Sequence, residues 1–274
     1  MKRMFKTFSL GAKLSAAFLI VVTLGATFAP WLAPYEYDWQ DTTISLSTPN
    51  AQNWMGTDRL GRDLFSRVLY GARVSLFLGF TTTLVAVLFG TVYGAVSGYV
   101  GGKTDSTMMR IVDVVFSLPD LLLIILITVA IGRGVFGIFL ALTMVSWVTV
   151  SRLVRGEVLR LKEYSFVEAS IALGAGHARV LFREILPNTL GLLIITLTFR
   201  VPVAILAEST LSFIGLGIAP PFSSWGVLAN DGWSAIKFYP HLIFFPSMII
   251  FLTILCFNIL GEALKDVLDP SRIR

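Results

Sequence analysis

The chain has 274 residues, of which 55% are hydrophobic and only 14% are charged, and its mean hydropathy is +0.78. Soluble domains carry about a quarter charged residues, so this composition excludes an ordinary soluble enzyme and indicates a bilayer as solvent. The net charge of +5 lacks a basic stripe on polar surface, which argues against nucleic-acid binding, and the single cysteine excludes a disulfide within the chain.

Six apolar segments predict membrane-spanning helices. Crossing roughly 30 Å of hydrocarbon takes about 20 mainly apolar residues, and helices satisfy every backbone hydrogen bond in lipid. Basic residues precede the first apolar run, as they do in a signal peptide. The run is too long for the apolar core of a signal peptide, so we interpret it as a retained span. The sequence therefore predicts an all-α integral membrane protein. The predicted spans are Leu14–Trp31, Val74–Gly98, Ile111–Ile131, Val135–Val150, Thr189–Phe213 and Leu242–Leu260.

The distribution of basic residues predicts that both termini lie in the cytoplasm. Most Lys and Arg fall at the two ends and in the segments after the second and fourth spans, as the positive-inside rule requires. Four arginines between Arg59 and Arg73 fall on the predicted outer side instead. Asp58 and Asp63 partly offset them, and an interfacial helix is an alternative location for this stretch.

The predicted inner loop, residues 151–188, has the composition of a short helix, a break and a second helix. Ser165 is a candidate N-cap with Glu168 at capping-box spacing, and Gly174 and Gly176 are candidates to end the helix. Such a helix suits insertion into a partner's groove, but spacing alone favours an ordinary connector equally. Its small apolar face consists of Phe166, Ala169, Ala172 and Leu173.

This loop resembles the "EAA" loop of ABC-importer permeases, which docks on the ATP-hydrolysing subunit. The resemblance rests on Glu168-Ala169-Ser170, Gly174 and Leu186-Pro187, and it departs from the family at Ser170 and Glu184. It implies a hinge to the fifth span at Leu186 and Pro187. The docking residues it implies are Phe166, Glu168, Ala169, Ser170, Ala172, Leu173 and Gly174.

Three further blocks are similar to the dipeptide, oligopeptide and nickel branch of these permeases. One precedes the second span, one follows the fifth span, and Leu268-Asp269-Pro270 belongs to the C-terminal block. The resemblance covers nearly the whole chain and implies the type I ABC importer architecture. It divides the chain into residues 1–72 and a five-helix permease core, 73–274. The outer-loop motif residues are Gly56, Thr57, Asp58, Gly61, Arg62, Asp63, Pro220, Pro221, Trp225 and Gly226.

The sequence has no Gly-x-x-x-x-Gly-Lys-Ser/Thr loop, so we expect no ATP site and no cofactor in this chain. The resemblance implies that ATP and magnesium are bound by two ATPase subunits. It also implies a related second permease as heterodimer partner, an extracytoplasmic solute-binding protein and the bacterial inner membrane. We expect peptides as cargo, with nickel or another small solute as the alternative. A stand-alone secondary transporter would favour internal repeats, and none is evident.

Ionisable residues within predicted spans are expensive and are therefore candidates for lining a translocation path. Arg200, Glu208 and Asp120 meet this condition. The alternative for Glu208 is local pairing at the outer interface. For Asp113 we favour pairing with nearby Arg110.

Two outer segments have competing interpretations. The Asp58, Arg62 and Asp63 cluster could suggest a metal or catalytic site, but a salt-bridged turn is the simpler reading. The last outer loop carries Trp225, Trp233, Phe238 and Tyr239, which we expect to be interfacial aromatics, with docking of the binding protein as the alternative. His177 and His241 fall on opposite sides of the predicted topology and cannot share a metal ion.

Overall fold

The structure is a computed structural model that describes residues 8–268, so Asp269 and Pro270 of the C-terminal block lie outside the described residues. Within that range the regular structure is helical, apart from one isolated bridge between Thr57 and Asp63. The α-helices are α1 (Leu10–Thr27), α2 (Ala29–Leu32), α3 (Leu64–Val100), α4 (Gly102–Phe116), α5 (Asp120–Ile131), α6 (Val135–Lys162), α7 (Ser165–Ala172), α8 (His177–Arg179), α9 (Leu186–Phe213), α10 (Trp225–Trp233) and α11 (His241–Leu268).

Five uninterrupted helices in residues 8–268 are long and apolar enough to cross a membrane, and the α4–α5 pair makes a sixth span if it is counted as one. This agrees with the predicted number. The predicted continuous third span is wrong, because α4 and α5 meet at an angle of 84°. Pro119 caps α5 with extended backbone, and a proline disfavours helical conformation in the residue before it.

Several other helices extend beyond the predicted spans, and the sixth runs from His241 to Leu268, past its predicted end at Leu260. The second span begins at Leu64, because the Asp63 carboxylate accepts a 2.7 Å hydrogen bond from the Ser66 amide and caps the helix. The fourth span continues through a polar segment to Lys162. The fifth belongs to a helical stretch that starts at His177, before the predicted start at Thr189.

Helices α3 and α6 pack side by side in the same direction, and glycines on α3 allow this close approach. A Cβ atom at Gly90 would lie 2.8 Å from the carbonyl oxygen of Trp147, and one at Gly94 would lie 2.3 Å from that of Ser151. Small residues at a crossing let two membrane helices bring their backbones together. This contact forms the centre of the bundle, and α9 packs against α3 from the other side.

The bundle has two distinct ends. Residues 33–63 and the segment from 214 to 240 lie at one end, here called the loop end. Helix α7 lies at the other end, the coupling end, where α3 and α6 terminate. Helix α3 has 37 residues and is about 55 Å long at 1.5 Å per residue, so it connects both ends. Helix α1 packs against α11 and α3.

Candidate functional site

Helix α7 is fixed to the bundle by one buried side chain. Val167 is 1% exposed and belongs to a hydrophobic cluster with Val158 and Leu161 of α6 and with Val180 and Ile185. The preceding residue Phe166 and the following residue Glu168 both point away from this cluster and are exposed. An eight-residue helix is too short to be stable alone in water, so this contact holds α7 in place.

The predicted capping box at the start of α7 is wrong. Tyr164 occupies the N-cap position, Ser165 is the first helical residue, and no side chain caps the helix. The Tyr164 carbonyl accepts hydrogen bonds from the amides of Val167 and Glu168 instead. The buried Val167 sets the rotation of the helix, and tertiary packing thereby overrides the capping signal of Ser165.

Gly174 ends the helix as predicted, but Gly176 does not take part. Gly174 has a φ of +84°, a conformation that favours glycine, and its amide donates to the carbonyl of Ile171. The Ala175 amide donates to the carbonyl of Ser170 at 3.0 Å, which completes the turn. Gly176 has extended backbone and precedes α8.

The predicted apolar face of α7 is turned to the outside. Phe166, Ala169, Ala172 and Leu173 are all exposed, and Leu173 is 89% exposed. Ile171 extends the surface, which we call the α7 face. Ser170 is partly buried. An exposed apolar surface of this kind is typical of protein or membrane contact sites.

Three contacts brace the chain on either side of α7. Arg160 donates a 2.7 Å hydrogen bond to the Tyr164 hydroxyl, and its guanidinium lies 5.4 Å from the centre of that ring. On the far side, the Tyr99 hydroxyl lies 3.1 Å from Nδ1 of His177. Lys162 donates to the Tyr99 carbonyl at 2.9 Å. The ends of α3, α6 and α8 are therefore connected around α7.

A π-helical segment, Val180–Ile185, separates α8 from the fifth span. Pro187 follows within the first turn of α9, and its missing N–H removes one donor from the helical ladder at this point. Single π-helical turns occur often at functional sites. The sequence placed a hinge at Leu186 and Pro187, and the irregular backbone lies directly before those residues.

At the loop end, Asp58 organises the segment that precedes α3. Its carboxylate accepts from Nε of Arg62 at 2.7 Å and from Nη1 of Arg67 at 2.6 Å, and also from the amides of Leu60 and Arg62. Asp63 caps α3 and accepts from the side-chain amide of Asn53. This is the salt-bridged turn expected from the sequence. No cluster of three or more potential metal ligands occurs within residues 8–268.

Glycines in the same motif allow tight turns. Gly56 has a φ of +80° and Gly61 a φ of +69°. A Cβ atom at Gly61 would collide with the carbonyl of Asp41, so a larger residue has no room there. The Thr57 hydroxyl accepts from the Ser47 amide at 2.8 Å and donates to the Ile44 carbonyl. The motif is therefore a compact fold of the loop.

The expectation that Trp225 is an interfacial aromatic is wrong. Trp225 is 0% exposed, and its ring nitrogen donates to the carbonyl of Val68 at 3.1 Å. Gly226 follows because a Cβ atom there would lie 2.5 Å from the Cα atom of Ser209. Trp233 and Phe238 are exposed, and their location at the membrane interface stays a prediction. A tryptophan that packs on α3 cannot be distinguished in sequence from one at the membrane interface.

The remaining motif residues, Pro220 and Pro221, stand before α10 and are joined by a cis peptide bond. They are exposed. The loop end therefore combines a buried tryptophan with an exposed turn on the same short connection.

The three ionisable candidates for a translocation path have different environments. Glu208 is 0% exposed and accepts hydrogen bonds from Ser75 and Ser212 at 3.1 and 2.7 Å, so it presents no surface to a path. In this conformation Glu208 is paired locally, which is the alternative interpretation, and its role as a path residue stays a prediction. Arg200 is partly buried, has no ion-pair partner within residues 8–268, and interacts electrostatically with the exposed Asp120.

Asp113 pairs with Arg152 at 3.1 Å, and the predicted pairing with Arg110 is wrong. The partner lies on α6, a contact that the bend between α4 and α5 makes possible. Arg152 also lies 4.5 Å from the centre of the Phe116 ring.

Two families match the chain in succession. Residues 65–274 match the family described as binding-protein-dependent transport system inner membrane component, and residues 11–55 match the N-terminal TM domain of oligopeptide transport permease C. The first match covers well over half of the chain.

Curated relatives cover most of the same length. The chain is 47% identical over 254 residues to the dipeptide transport system permease protein DppC of Bacillus subtilis, covering 92% of this chain and 79% of the relative. It is 42% identical over 253 residues to the oligopeptide transport system permease protein OppC of the same organism, covering 92% and 83%. It is 39% identical over 261 residues to the glutathione transport system permease protein GsiD of Escherichia coli O157:H7, covering 95% and 86%.

The fold has a solved counterpart. An inward-facing structure of the MetNI methionine ABC transporter aligns with a TM-score of 0.63 and 18% identity, covering 75% of this chain and 98% of that chain. The relatives are permease subunits of importers whose ATPase is a separate subunit, and their family is an inner membrane component. The chain belongs to the binding-protein-dependent transport system inner membrane component family: it is a multi-pass inner membrane permease subunit of an ABC importer, with the type I fold.

Proposed function

We propose that the α7 face docks on an ATPase subunit and transmits its nucleotide cycle to the spans. The observation that carries this proposal is the division of α7 into one buried contact, Val167, and an exposed face that includes Phe166, Ala169 and Leu173. The buried side fixes the helix to α6 and to the π-helical segment before α9. A displacement of α7 by a partner therefore reaches two spans directly.

The transport complex in this proposal contains a second, related permease, two ATPase subunits and an extracytoplasmic solute-binding protein. ATP and magnesium belong to the partners' sites. A nucleotide shifts the permease between inward-open and outward-open states only by as much as it favours one state over the other. The chain contributes the contact through which that preference acts.

The cargo in this proposal is a peptide. Support comes from the names of the two Bacillus subtilis relatives, which are permeases for dipeptides and oligopeptides. Glutathione is the second candidate, supported by the relative from Escherichia coli. Uptake of labelled dipeptides, tripeptides, glutathione and Ni²⁺ by the reconstituted complex separates the candidates, and preference for a solute other than a peptide contradicts the assignment.

Arg200 and Asp120 are the residues of this chain that we place along the path. Arg200 is a charged group inside a span, and such groups face a bundle interior or a wet cavity. Asp120 is exposed at the start of α5, at the bend of the broken span. In this proposal the path therefore presents both signs of charge.

The docking proposal is tested by Ala169→Asp in the assembled transporter. A carboxylate in the centre of the α7 face would be desolvated against the partner without a counter-charge, and burying an unpaired charge is strongly unfavourable. We expect uptake to be lost in the assembled complex, whether stimulated ATP hydrolysis continues or falls. Ala51→Asp is the matched control, because Ala51 is exposed at the loop end. Full uptake by Ala169→Asp with normal assembly would refute the proposal.

The sidedness of the chain has a separate test. We propose that the coupling end and both termini are cytoplasmic. Cys256 is the only cysteine, so Ala169→Cys in a Cys256→Ser background carries a single thiol on the exposed face of α7. A membrane-impermeant maleimide should label it in inverted vesicles and leave it unlabelled in intact spheroplasts. Labelling only from outside contradicts the orientation.

A further inference from the structure

The loop end contains a charged cavity that the coupling mechanism does not use. Its volume is about 240 Å³, and it lies between the segment that precedes α3 and the turn that joins α10 to α11. We call it the arginine pocket. It is separated from the α7 face by the length of α3. Its polar lining consists of Asp58, Arg59, Arg62, Arg67, Asp231 and Ser234.

The wall of the arginine pocket is rigid because its charged groups are already paired. Arg67 is 2% exposed, and its Nη1 atom donates to Asp58 at 2.6 Å and to Asp231 at 3.4 Å. Its Nε atom is buried and has no hydrogen-bond partner within the part of the chain that the structure describes. Asp58 accepts from two guanidinium groups and two backbone amides, so it cannot neutralise further cations.

The mouth of the pocket retains positive charge. Arg59 is exposed, and its guanidinium donates a hydrogen bond to the carbonyl of Ser234 at 3.2 Å. The side chain of Asp231 is 46% exposed, and its carboxylate lies 3.4 Å from Nη1 of Arg67. The lining thus contains three guanidinium groups and two carboxylates, which leaves an excess of positive charge. Leu60 is exposed in the lining of the pocket, and arginine is enriched at protein–protein interfaces.

The size of the pocket limits what enters it. Sites for whole small molecules measure about 300–1,000 Å³, so this cavity is too small to hold a peptide cargo. It is large enough for one carboxylate side chain, whose methylene groups would contact Leu228 and Leu242 in the apolar part of the lining. The excess positive charge selects an acidic group over a neutral or basic one.

We propose that the arginine pocket receives an acidic side chain of the extracytoplasmic solute-binding protein, with Arg59 as its main charge partner. This rests on the proposed function, which places the loop end outside the cytoplasm and includes such a partner. Arg67 and Asp58 act as positioning residues, since they hold the wall while Arg59 makes the contact. Charge pairs at a rim act mainly on the association rate and its salt dependence, which gives the contact a measurable signature.

The test uses the complete transporter in lipid nanodiscs and the solute-binding protein that stimulates its ATPase activity. Arg59→Glu should weaken binding of that protein about tenfold and flatten its salt dependence, because attraction is replaced by repulsion. Basal ATP hydrolysis without the binding protein should not change. Arg133→Glu is the matched control, since Arg133 is exposed on the turn between α5 and α6, away from the pocket. Equal effects of the two reversals would overturn the proposal.

Two further variants keep the test decisive if Arg59→Glu does not assemble. Arg59→Gln removes the charge without reversing it and should weaken binding about threefold, whereas Asp231→Asn removes a competing carboxylate and should tighten binding about twofold. If neither Arg59→Gln nor Asp231→Asn changes the binding of the solute-binding protein, the proposal is overturned. In the binding protein, replacing acidic residues by lysine one at a time should identify one position that restores binding to Arg59→Glu, and failure of all positions contradicts the inserted side chain.

The outcome is independent of the α7 proposal. Lost transport with normal binding of the solute-binding protein in Ala169→Asp, together with weakened binding in Arg59→Glu, supports both assignments. Normal coupling in Ala169→Asp together with weakened binding in Arg59→Glu refutes docking at α7 while leaving the pocket assignment intact.

Discussion

Substituting Gly94 by alanine should separate α3 from α6 and destabilise the bundle. The added Cβ atom would lie 2.3 Å from the carbonyl oxygen of Ser151 and 3.0 Å from the amide nitrogen of Arg155. Both are backbone atoms within a helix, so neither can rotate away. The shorter distance is about 1 Å less than an ordinary contact, and the two helices must move apart by a similar amount.

The expected cost of this change is about 1–3 kcal/mol, the usual range for overpacking a well-packed interior. Alanine also has higher helix propensity than glycine, which offsets roughly 0.5–1 kcal/mol of that cost. Loss of the α3–α6 contact along Gly90 and Gly98 would add to the effect, because these glycines also contact backbone and Cβ atoms of α6. We therefore expect a net loss of about 1–2 kcal/mol.

The assay is thermal unfolding of the purified protein in detergent, followed by size-exclusion fluorescence. Gly156→Ala is the matched control, since Gly156 lies in α6 and a Cβ atom there would meet nothing within 4 Å. Gly94→Ala should unfold at a lower temperature than the wild type, and Gly156→Ala at an equal or higher one. If Gly94→Ala were as stable as Gly156→Ala, the close approach of α3 and α6 would be refuted.

Three further predictions follow from single polar groups. Glu208→Ala should lower the free energy of unfolding by about 1–3 kcal/mol because it leaves the Ser75 hydroxyl without its acceptor, and Glu208→Gln, measured by the same thermal assay, should recover most of the loss. Arg155→Ala should cost about 1 kcal/mol, since it removes the pair of hydrogen bonds to Asp105 at 2.5 and 2.6 Å; the difference from wild type should shrink in high salt, and an unchanged difference would argue against a charge effect. Arg200→Ala should reduce uptake by about tenfold at unchanged assembly and basal ATP hydrolysis, because a charged contact is worth about 1.5–3 kcal/mol; uptake at the wild-type rate would remove Arg200 from the path.

The apolar runs predicted the spans well because a bilayer imposes one simple requirement on each helix separately. Where a span ends depends on contacts that the run does not contain. Helix α3 starts at Leu64 because Asp63 caps it, and the capping carboxylate is held in turn by Asn53. The third span breaks because Pro119 stands in its middle. Both signals were present in the sequence, but a count of apolar residues is insensitive to them.

The arginines at the loop end show why a count of basic residues is a coarse guide to orientation. Counting basic residues treats each one as a solvated charge on a loop. Arg67 is instead a residue of α3 whose side chain is buried and paired with Asp58, so its charge lies within the protein. Its partner is nine positions away in sequence, on the other side of a turn, and no helical or strand periodicity connects the two.

Helix α7 drew attention through its resemblance to the docking loop of ABC-importer permeases, which periodicity alone could not supply. A small apolar face on a short helix predicts burial, and by that rule Phe166 and Leu173 should pack against the bundle. They are exposed, and Val167 takes the buried position. Trp225 shows the opposite error, since an aromatic in an outer loop fills the core. Apolar character indicates that a side chain avoids water. It does not indicate whether the surface that buries the side chain belongs to the same chain or to a partner. Only the three-dimensional structure separates the two cases, and in α7 it leaves the apolar surface uncovered by this chain, which is the observation behind the proposed docking on a partner subunit.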